Sequence, residues 1–255
     1  MIEIPSLRPE SRYGIPAADQ LLFNREYIIG YSYLFRQPRW AMEVIDPDNK
    51  QIAPDFKRKN FFRPDRRVPE AFRADLADFQ NSNHDRGHLI SSADRRATQI
   101  ENSETFLLSN MSPQTHDFNA GIWGRLEEAV RDLAASDEIA EVYVVCGPLF
   151  DVGKKIEVIG NKVDEDDKNE VVIPVPHAFF KSILAERVSG SLKLWSFILP
   201  HEASEAPLSS FRVRTTEVER KAGLSLWDRL RGQEAERLMR SRPAMWSRSS
   251  SRQAA

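Results

Sequence analysis

The sequence predicts an α+β fold, because its strands and helices fall in blocks rather than in strict alternation. Three segments carry that prediction. The run EYIIGYSYLFRQPRWAMEVIDP, from Glu26 to Pro47, is aromatic and β-branched and is broken at Gln37-Pro38, a hairpin signature. EVYVVCGPLF is a buried strand closed by Gly147-Pro148. FNAGIWGRLEEAVRDLAAS has helical spacing, with Ile122, Leu126, Ala129, Val130 and Leu133 on one side.

The remaining elements follow in chain order. Pro5, Pro9 and Pro16 and a lack of periodicity make the first twenty residues an extended opening, with 1–12 as an N-terminal arm. Between Lys57 and Asp78 the chain is polar and basic: Lys57, Arg58, Lys59, Arg63, Arg66, Arg67 and Arg73 outnumber Asp65, Glu70, Asp75 and Asp78. A short strand ends at HDRGHLI, and a polar loop leads to the apolar segment TFLLSN. Beyond the central helix, VDEDDKNEVVIPVP predicts an acidic turn and a strand, and LKLWSFILP a further strand. A helical region begins near Thr216, and the polar tail 247–255 is expected to be disordered. Residues 13–246 therefore form a single domain, without internal repeats.

Composition narrows the function. The chain has 255 residues, 41% hydrophobic and 29% charged, which suits a globular protein with a sizeable core. A single cysteine, Cys146, excludes an internal disulfide framework and a multi-cysteine zinc site. No stretch approaches the roughly 18 apolar residues of a membrane span, so no membrane partner is expected. The opening MIEIPSLRPES lacks a signal peptide's charged-then-apolar pattern. A cytoplasmic location follows if the chain is complete, and a mitochondrial or secreted one if a targeting peptide has been removed. The formal charge of −2 argues against a generally basic surface but leaves room for a local basic groove.

The chemistry lies in two segments about thirty residues apart. In Asp85-Arg86-Gly87-His88, a base, a fixed cation and a flexible backbone position fall within four residues. Histidine suits general-base work near neutral pH. Gly87 is expected to permit a backbone angle that aims the imidazole, and Asp85 or a backbone carbonyl to fix its tautomer. Taken alone, the tetrapeptide is equally well a charged surface turn. In the second segment Asn119, Trp123, Glu127 and Arg131 recur every four residues, drifting about 40° per step on a regular helix. A solvated helix face with a Glu127–Arg131 pair is the plainer alternative, worth about 0.3–0.5 kcal/mol. Asn119 and Glu127 are separated by about 12 Å of helical rise, so both cannot ligate one ion unless the chain leaves helical geometry. A lone amide ligand points to hydrated Mg²⁺, which keeps several waters, and not to zinc. Such an ion beside a histidine base suits phosphodiester hydrolysis.

HDRGH at His84–His88, SNMSPQ at Ser109–Gln114 and FNAGIWGRLE at Phe118–Glu127 together resemble the DNA/RNA non-specific endonucleases of the endonuclease G type, within the ββα-metal or His-Me finger nucleases. YGIPAAD, PRWAMEV, VCGPLF, VVIPVPHAFFKSI and FRVRTTEVERKAGL extend the resemblance, in order, over roughly Tyr13 to Leu230. It implies a strand–loop–strand–helix core on a mainly antiparallel sheet flanked by helices. It also implies His88 as general base, Asn119 as direct ligand of Mg²⁺ (Mn²⁺ substituting), and Glu127 acting through metal-bound water. Arg86 and Arg131 match active-site positions that hold phosphate or stabilise leaving-group charge, with Asp85 and Gly87 supporting. An upstream basic residue, Arg58 or Lys59, is expected on phosphate; a lysine there would weaken a bidentate contact to a point charge.

The expected activity is Mg²⁺-dependent, sequence-tolerant cleavage of DNA and RNA, leaving 5′-phosphate and 3′-hydroxyl ends. Two rivals stand beside it: a catalytically silent or inhibitor-regulated nucleic-acid-binding module, and a phosphodiesterase for small substrates. The resemblance also implies a homodimer. Control by an inhibitor or activator protein, as for a defence or cell-death effector, answers the hazard of a non-specific nuclease to its own cell. Other residues take plainer roles. His84 and His116 read as exposed loop residues and His177 as a turn residue, while His201 gives no signal. Cys146 is a buried small side chain, Trp123 a core anchor, and the C-terminal arginines solvated or nucleic-acid-facing.

Overall fold

The computed structural model of the protein describes residues 8–160 and 172–246. The strands are β1 (Gln20–Asn24), β2 (Tyr27–Ser32), β3 (Gln37–Ile45), β4 (Asp85–His88), β5 (Met111–Gln114), β6 (Ile139–Leu149), β7 (Val158–Gly160), β8 (Val172–Pro174), β9 (Ala178–Arg187), β10 (Leu192–Pro200) and β11 (Arg212–Val213). The helices are α1 (Gln99–Glu104), α2 (His116–Phe118), α3 (Gly124–Ala134), α4 (Thr215–Ala222) and α5 (Gln233–Arg240). Seven strands form one antiparallel sheet in the order β1-β2-β3-β6-β9-β10-β11. Strands β4 and β5 pair only with each other, as do β7 and β8. The α+β class and the mainly antiparallel sheet are as expected.

The predicted hairpin is present as β2 and β3, but its reversal falls at Tyr33–Arg36, where Arg36 has φ +52°. Pro38 lies within β3, opposite Tyr31 at a shift of register, a place where a strand tolerates a residue without an N–H. β1 and β9 were not anticipated. In β9, Lys181 and Ser182 interrupt the apolar pattern, yet both are buried. TFLLSN ends in a 3₁₀ turn at Leu108–Asn110, and the partner of the DRGH strand is the next segment, MSPQ. The predicted single helix begins with α2, passes through a wide turn at Asn119–Trp123 and continues as α3. The acidic stretch 163–171, the tail 247–255 and residues 1–7 of the arm lie outside the described residues.

Alternation along β6 divides the core between the two faces of the sheet. Val142, Val144 and Cys146 face one side with Ala41, Phe179 and Ile183, and are covered by Leu89, Ile90, Phe118, Ile122, Trp123, Leu126 and Val130. Tyr143 and Val145 face the other side with Trp40 and Phe180, under Val218, Leu224 and Trp227. The β4–β5 hairpin and α3 are thus pressed onto one face of a large sheet that leaves them out of its ladder. Side chains fasten them there: Ser112 Oγ donates to Gln37 Oε1 (2.6 Å) and Cys146 Sγ to Leu89 O (3.3 Å).

Candidate active site

His88 closes β4, with its backbone carbonyl accepting from Trp123 Nε1 at 3.1 Å, so strand and helix are joined at the candidate base. Its ring stands edge-on to Phe106 (4.9 Å between centroids) and tilted to Phe62 (5.8 Å). The Arg86 guanidinium lies 5.1 Å from the centre of Phe62, and that of Arg58 5.3 Å from Phe106. The imidazole is therefore set among two aromatic rings, each carrying a cation. Burial, then the charge of Arg58, pushes the imidazole pKa down to about 3, so the ring is neutral near neutral pH. His88 Nε2 and Arg86 Nε are buried without a hydrogen-bond partner, an unusual cost unless a ligand or water meets them.

The first residue of β4, Asp85, orients Asn119. Asp85 Oδ2 accepts from Asn119 Nδ2 and faces His116 Nδ1, both at 3.0 Å. A carboxylate only accepts, so the amide nitrogen must turn to Asp85, and Asn119 Oδ1 is directed elsewhere. Gly87 precedes His88, but not for the reason expected, since its φ is not positive. A Cβ there would stand 2.2 Å from Oε1 of Gln114, whose fully buried side chain lies against the strand.

At Asn119–Trp123 the backbone widens to a π turn, with Gly121 at φ −90° and ψ −108°. The four-residue series is therefore not carried on a regular helix, and such turns recur at functional positions. Glu127 lies one turn beyond Trp123. Burial pushes its pKa up to about 7, opposed by Lys181 and Arg131, with Asp94 pushing the same way as burial. Arg131 is engaged elsewhere: it donates to Asp94 Oδ1 at 2.7 Å and to Glu128 Oε2 at 3.1 Å, and its side chain is 11% exposed. Of the two upstream candidates, Arg58 is the one beside the His88 pocket, whereas Lys59 lies 5.7 Å from the exposed ring of Phe61.

Residues 7–233 match the family described as DNA/RNA non-specific endonuclease. The chain belongs to that family. Among relatives of this nuclease, one named nuclease from Syncephalastrum racemosum is 36% identical over 224 residues, covering 84% of this chain and 69% of that one. Nuclease C1 of Cunninghamella echinulata var. echinulata is 35% identical over 228 residues, 86% of this chain and 87% of its own. Mitochondrial endonuclease G of Homo sapiens is 35% identical over 224 residues, 84% and 71% of the two chains. A chain in the crystal structure of the EndoG/EndoGI complex, which concerns the mechanism of EndoG inhibition, superposes with a TM-score of 0.78. It is 32% identical and is matched over 90% of this chain and 95% of its own. The protein is thus a hydrolase acting as a nuclease, and its fold is that of the ββα-metal nucleases.

Sequence reasoning about the nuclease passed over Phe62 and Phe106, because aromatic residues beside Arg58 and inside TFLLSN read as ordinary core. It also passed over Lys181. This ammonium is only 3% exposed and lies 4.3 Å from the centre of the Trp123 ring, on the face of the sheet beneath Glu127. Burial opposes its charge, but the neighbouring Cys146, Glu127, Glu43 and Asp94 together hold its pKa above the ordinary lysine value. Cys146 is enclosed, with its thiol pushed up to about 12 by burial, which suits packing and not nucleophilic attack. No helix among the described residues is long and apolar enough to cross a membrane.

Proposed function

We propose that this nuclease hydrolyses phosphodiester bonds of DNA and RNA with His88 as general base and a Mg²⁺ ion held by Asn119, Mn²⁺ being able to replace it. The observation that carries the reading is the short strand β4 itself: its last residue, His88, lies between Phe62 and Phe106 and is bonded through its carbonyl to Trp123, and its first, Asp85, orients the Asn119 amide on the same helical segment. The donor chemistry fits the ion. Asn119 Oδ1 is a single hard oxygen turned away from Asp85, and among the described residues no three His, Cys, Asp or Glu side chains converge on a site for zinc. When bound, the ion neutralises charge on the phosphate and its leaving oxygen.

The protein's own residues supply the rest. Arg58 and Arg86 hold phosphate oxygens, contacts that carry no base identity and so tolerate any sequence. A phosphate seated beside His88 raises the ring's affinity for a proton, opposing Arg58 and burial. His88 Nε2 takes a proton from the attacking water. The water oxygen bonds to phosphorus as the bond to the 3′-oxygen breaks, and that oxygen takes a proton from a second water, leaving 5′-phosphate and 3′-hydroxyl ends. Glu127 acts through water near the ion, and Arg131 holds the helix through Asp94 and Glu128.

The test is cleavage of supercoiled plasmid and of RNA across a magnesium and manganese series, with EDTA and with His88→Ala. Cleavage that needs the metal and is lost in the variant is expected. Cleavage persisting in EDTA, or undiminished in His88→Ala, rejects the reading. Preference for a small chromogenic diester over plasmid would turn it towards small substrates.

A homodimer belongs to the same proposal. Leu34 and Val152 are 78% and 89% exposed on a cleft of about 450 Å³ that also holds Phe35 and Phe150, whose rings stack at 4.3 Å. Large apolar side chains grouped in water mark a contact surface. A single-subunit mass in sedimentation, unchanged by Leu34→Asp, would remove the dimer. Control by an inhibitor protein, suited to a defence or cell-death effector, is supported by the inhibition complex of the structural neighbour. Immediate cleavage by the purified protein would exclude a need for an activator.

A further inference from the structure

His201, which carried no signal in the sequence, has both ring nitrogens engaged. It follows Pro200 at the end of β10 and turns inward, edge-on to Phe118 (5.1 Å) and Phe179 (5.3 Å). Its Nδ1 lies 2.8 Å from the carbonyl of Pro176, and its Nε2 lies 2.8 Å from the backbone N–H of Thr115. A carbonyl can only accept and a backbone N–H can only donate. The tautomer is therefore determined: the proton is on Nδ1, and Nε2 carries the lone pair. An imidazolium cannot make both bonds, since its Nε2–H would oppose the N–H of Thr115.

Thr115 is where β5 gives way to the helical segment of the site. Its carbonyl accepts from the backbone N–H of Asn119 at 2.9 Å, and the next residue, His116, shares Asp85 with Asn119. A backbone N–H at this junction needs an acceptor, and His201 provides it.

We propose that His201 is a positioning residue of the nuclease, whose neutral ring pins Thr115 and thereby the start of the segment that carries Asn119. The inference rests on the assignment of Asn119 to the ion. The titratable groups facing His201 are two more histidines: His84, from the loop before β4, 6.1 Å away ring to ring, and His177, from the turn before β9. The rings packed on it from α2 and β9 are uncharged. Burial holds the pKa of His201 below the usual histidine value, against the pull of the Pro176 carbonyl, and His84 and His177 lower it further. Acid therefore opposes this arrangement: as the pH falls through that lowered pKa, the Nε2 lone pair is lost and Thr115 is released.

The experiment compares the whole protein with His201→Phe, which keeps a packed ring but neither nitrogen, and with His201→Gln, whose amide donates and accepts without titrating. Hydrogen exchange at the Thr115 amide and the Mg²⁺ concentration for half-maximal plasmid cleavage are measured from about pH 7.5 downward to the onset of acid unfolding. In His201→Phe, Thr115 exchange is expected to rise by about tenfold, the scale of one lost hydrogen bond, and the Mg²⁺ requirement to rise with it. His201→Gln restores both, and it loses less Thr115 protection on acidification than the wild type does. Unchanged exchange and Mg²⁺ requirement in His201→Phe would overturn the proposal. Should that variant not fold, parallel pH profiles of the wild type and His201→Gln would overturn it instead. Asn119→Ala, run alongside, separates the two readings. Wild-type cleavage by Asn119→Ala means that the assignment of Asn119 has failed, and the positioning role with it. An inactive Asn119→Ala beside an unaffected His201→Phe removes the role of His201 alone.

Discussion

The two ends of the helical segment that opens at Asn119 are built on opposite terms. Around its start, on the segment and on the adjoining β4, polar side chains are held in place but left with unused capacity: the Asn119 amide bonds through its nitrogen only, and His88 Nε2 and Arg86 Nε are buried without partners. At its far end the charges are paired. Arg131 is tied to Asp94 and Glu128, and Lys50 to Glu128 and Asp132. Unmet hydrogen-bonding capacity is costly in a protein and persists where a ligand completes it. The contrast separates the part of the segment proposed to meet substrate from the part that anchors it.

The sharpest test of this contrast is at the open end. His88→Ala is expected to lower the cleavage rate by about 10²–10⁴-fold while the melting temperature stays nearly constant. The paired end should respond the other way. Removing one partner of a buried ion pair leaves the other charge stranded, so Arg131→Met should cost on the order of 3 kcal/mol in chemical denaturation. Cleavage per folded molecule should fall far less; a variant that stays stable but loses cleavage would break the contrast and place Arg131 in the chemistry.

A smaller effect divides the two upstream cations. Arg58→Ala should weaken plasmid binding by roughly tenfold at low salt and reduce the salt slope by about one, whereas Lys59→Ala should change binding by about twofold or less. Equal effects would mean that proximity to the His88 pocket does not select between them. The smallest concerns pH. Glu127, raised from 4.5 to about 7, contributes stability below about pH 4.5 that is lost as the pH rises through about 7. Melting curves in chelator should show that loss in the wild type and a flatter profile in Glu127→Gln.

Much of this was legible in the sequence wherever function and local pattern coincide. DRGH ends a strand, Gly124–Ala134 is helical, and Ile139–Leu149 and Leu192–Pro200 are strands, each announced by its own periodicity. What escaped notice depends on contacts between distant segments. β9 was obscured because Lys181 looks like a surface residue until Trp123, 58 positions earlier, is seen to cover it. His201 looked inert because its partners, Thr115 and Pro176, lie on other elements. Gly87 was legible as a necessity but not for its reason, which is the bulk of Gln114 across the hairpin and not a backbone angle.

The wide turn at Asn119–Trp123 has one further consequence. Each residue advances a helix by about 100°, so deleting one residue there would let the segment close into uninterrupted α-helix and swing position 119 out of reach of Asp85. With Asn119 in its proposed role, such a shortened chain is expected to gain a more regular helix and lose cleavage. Local irregularity at this point is therefore something that natural variation in the chain can be expected to preserve.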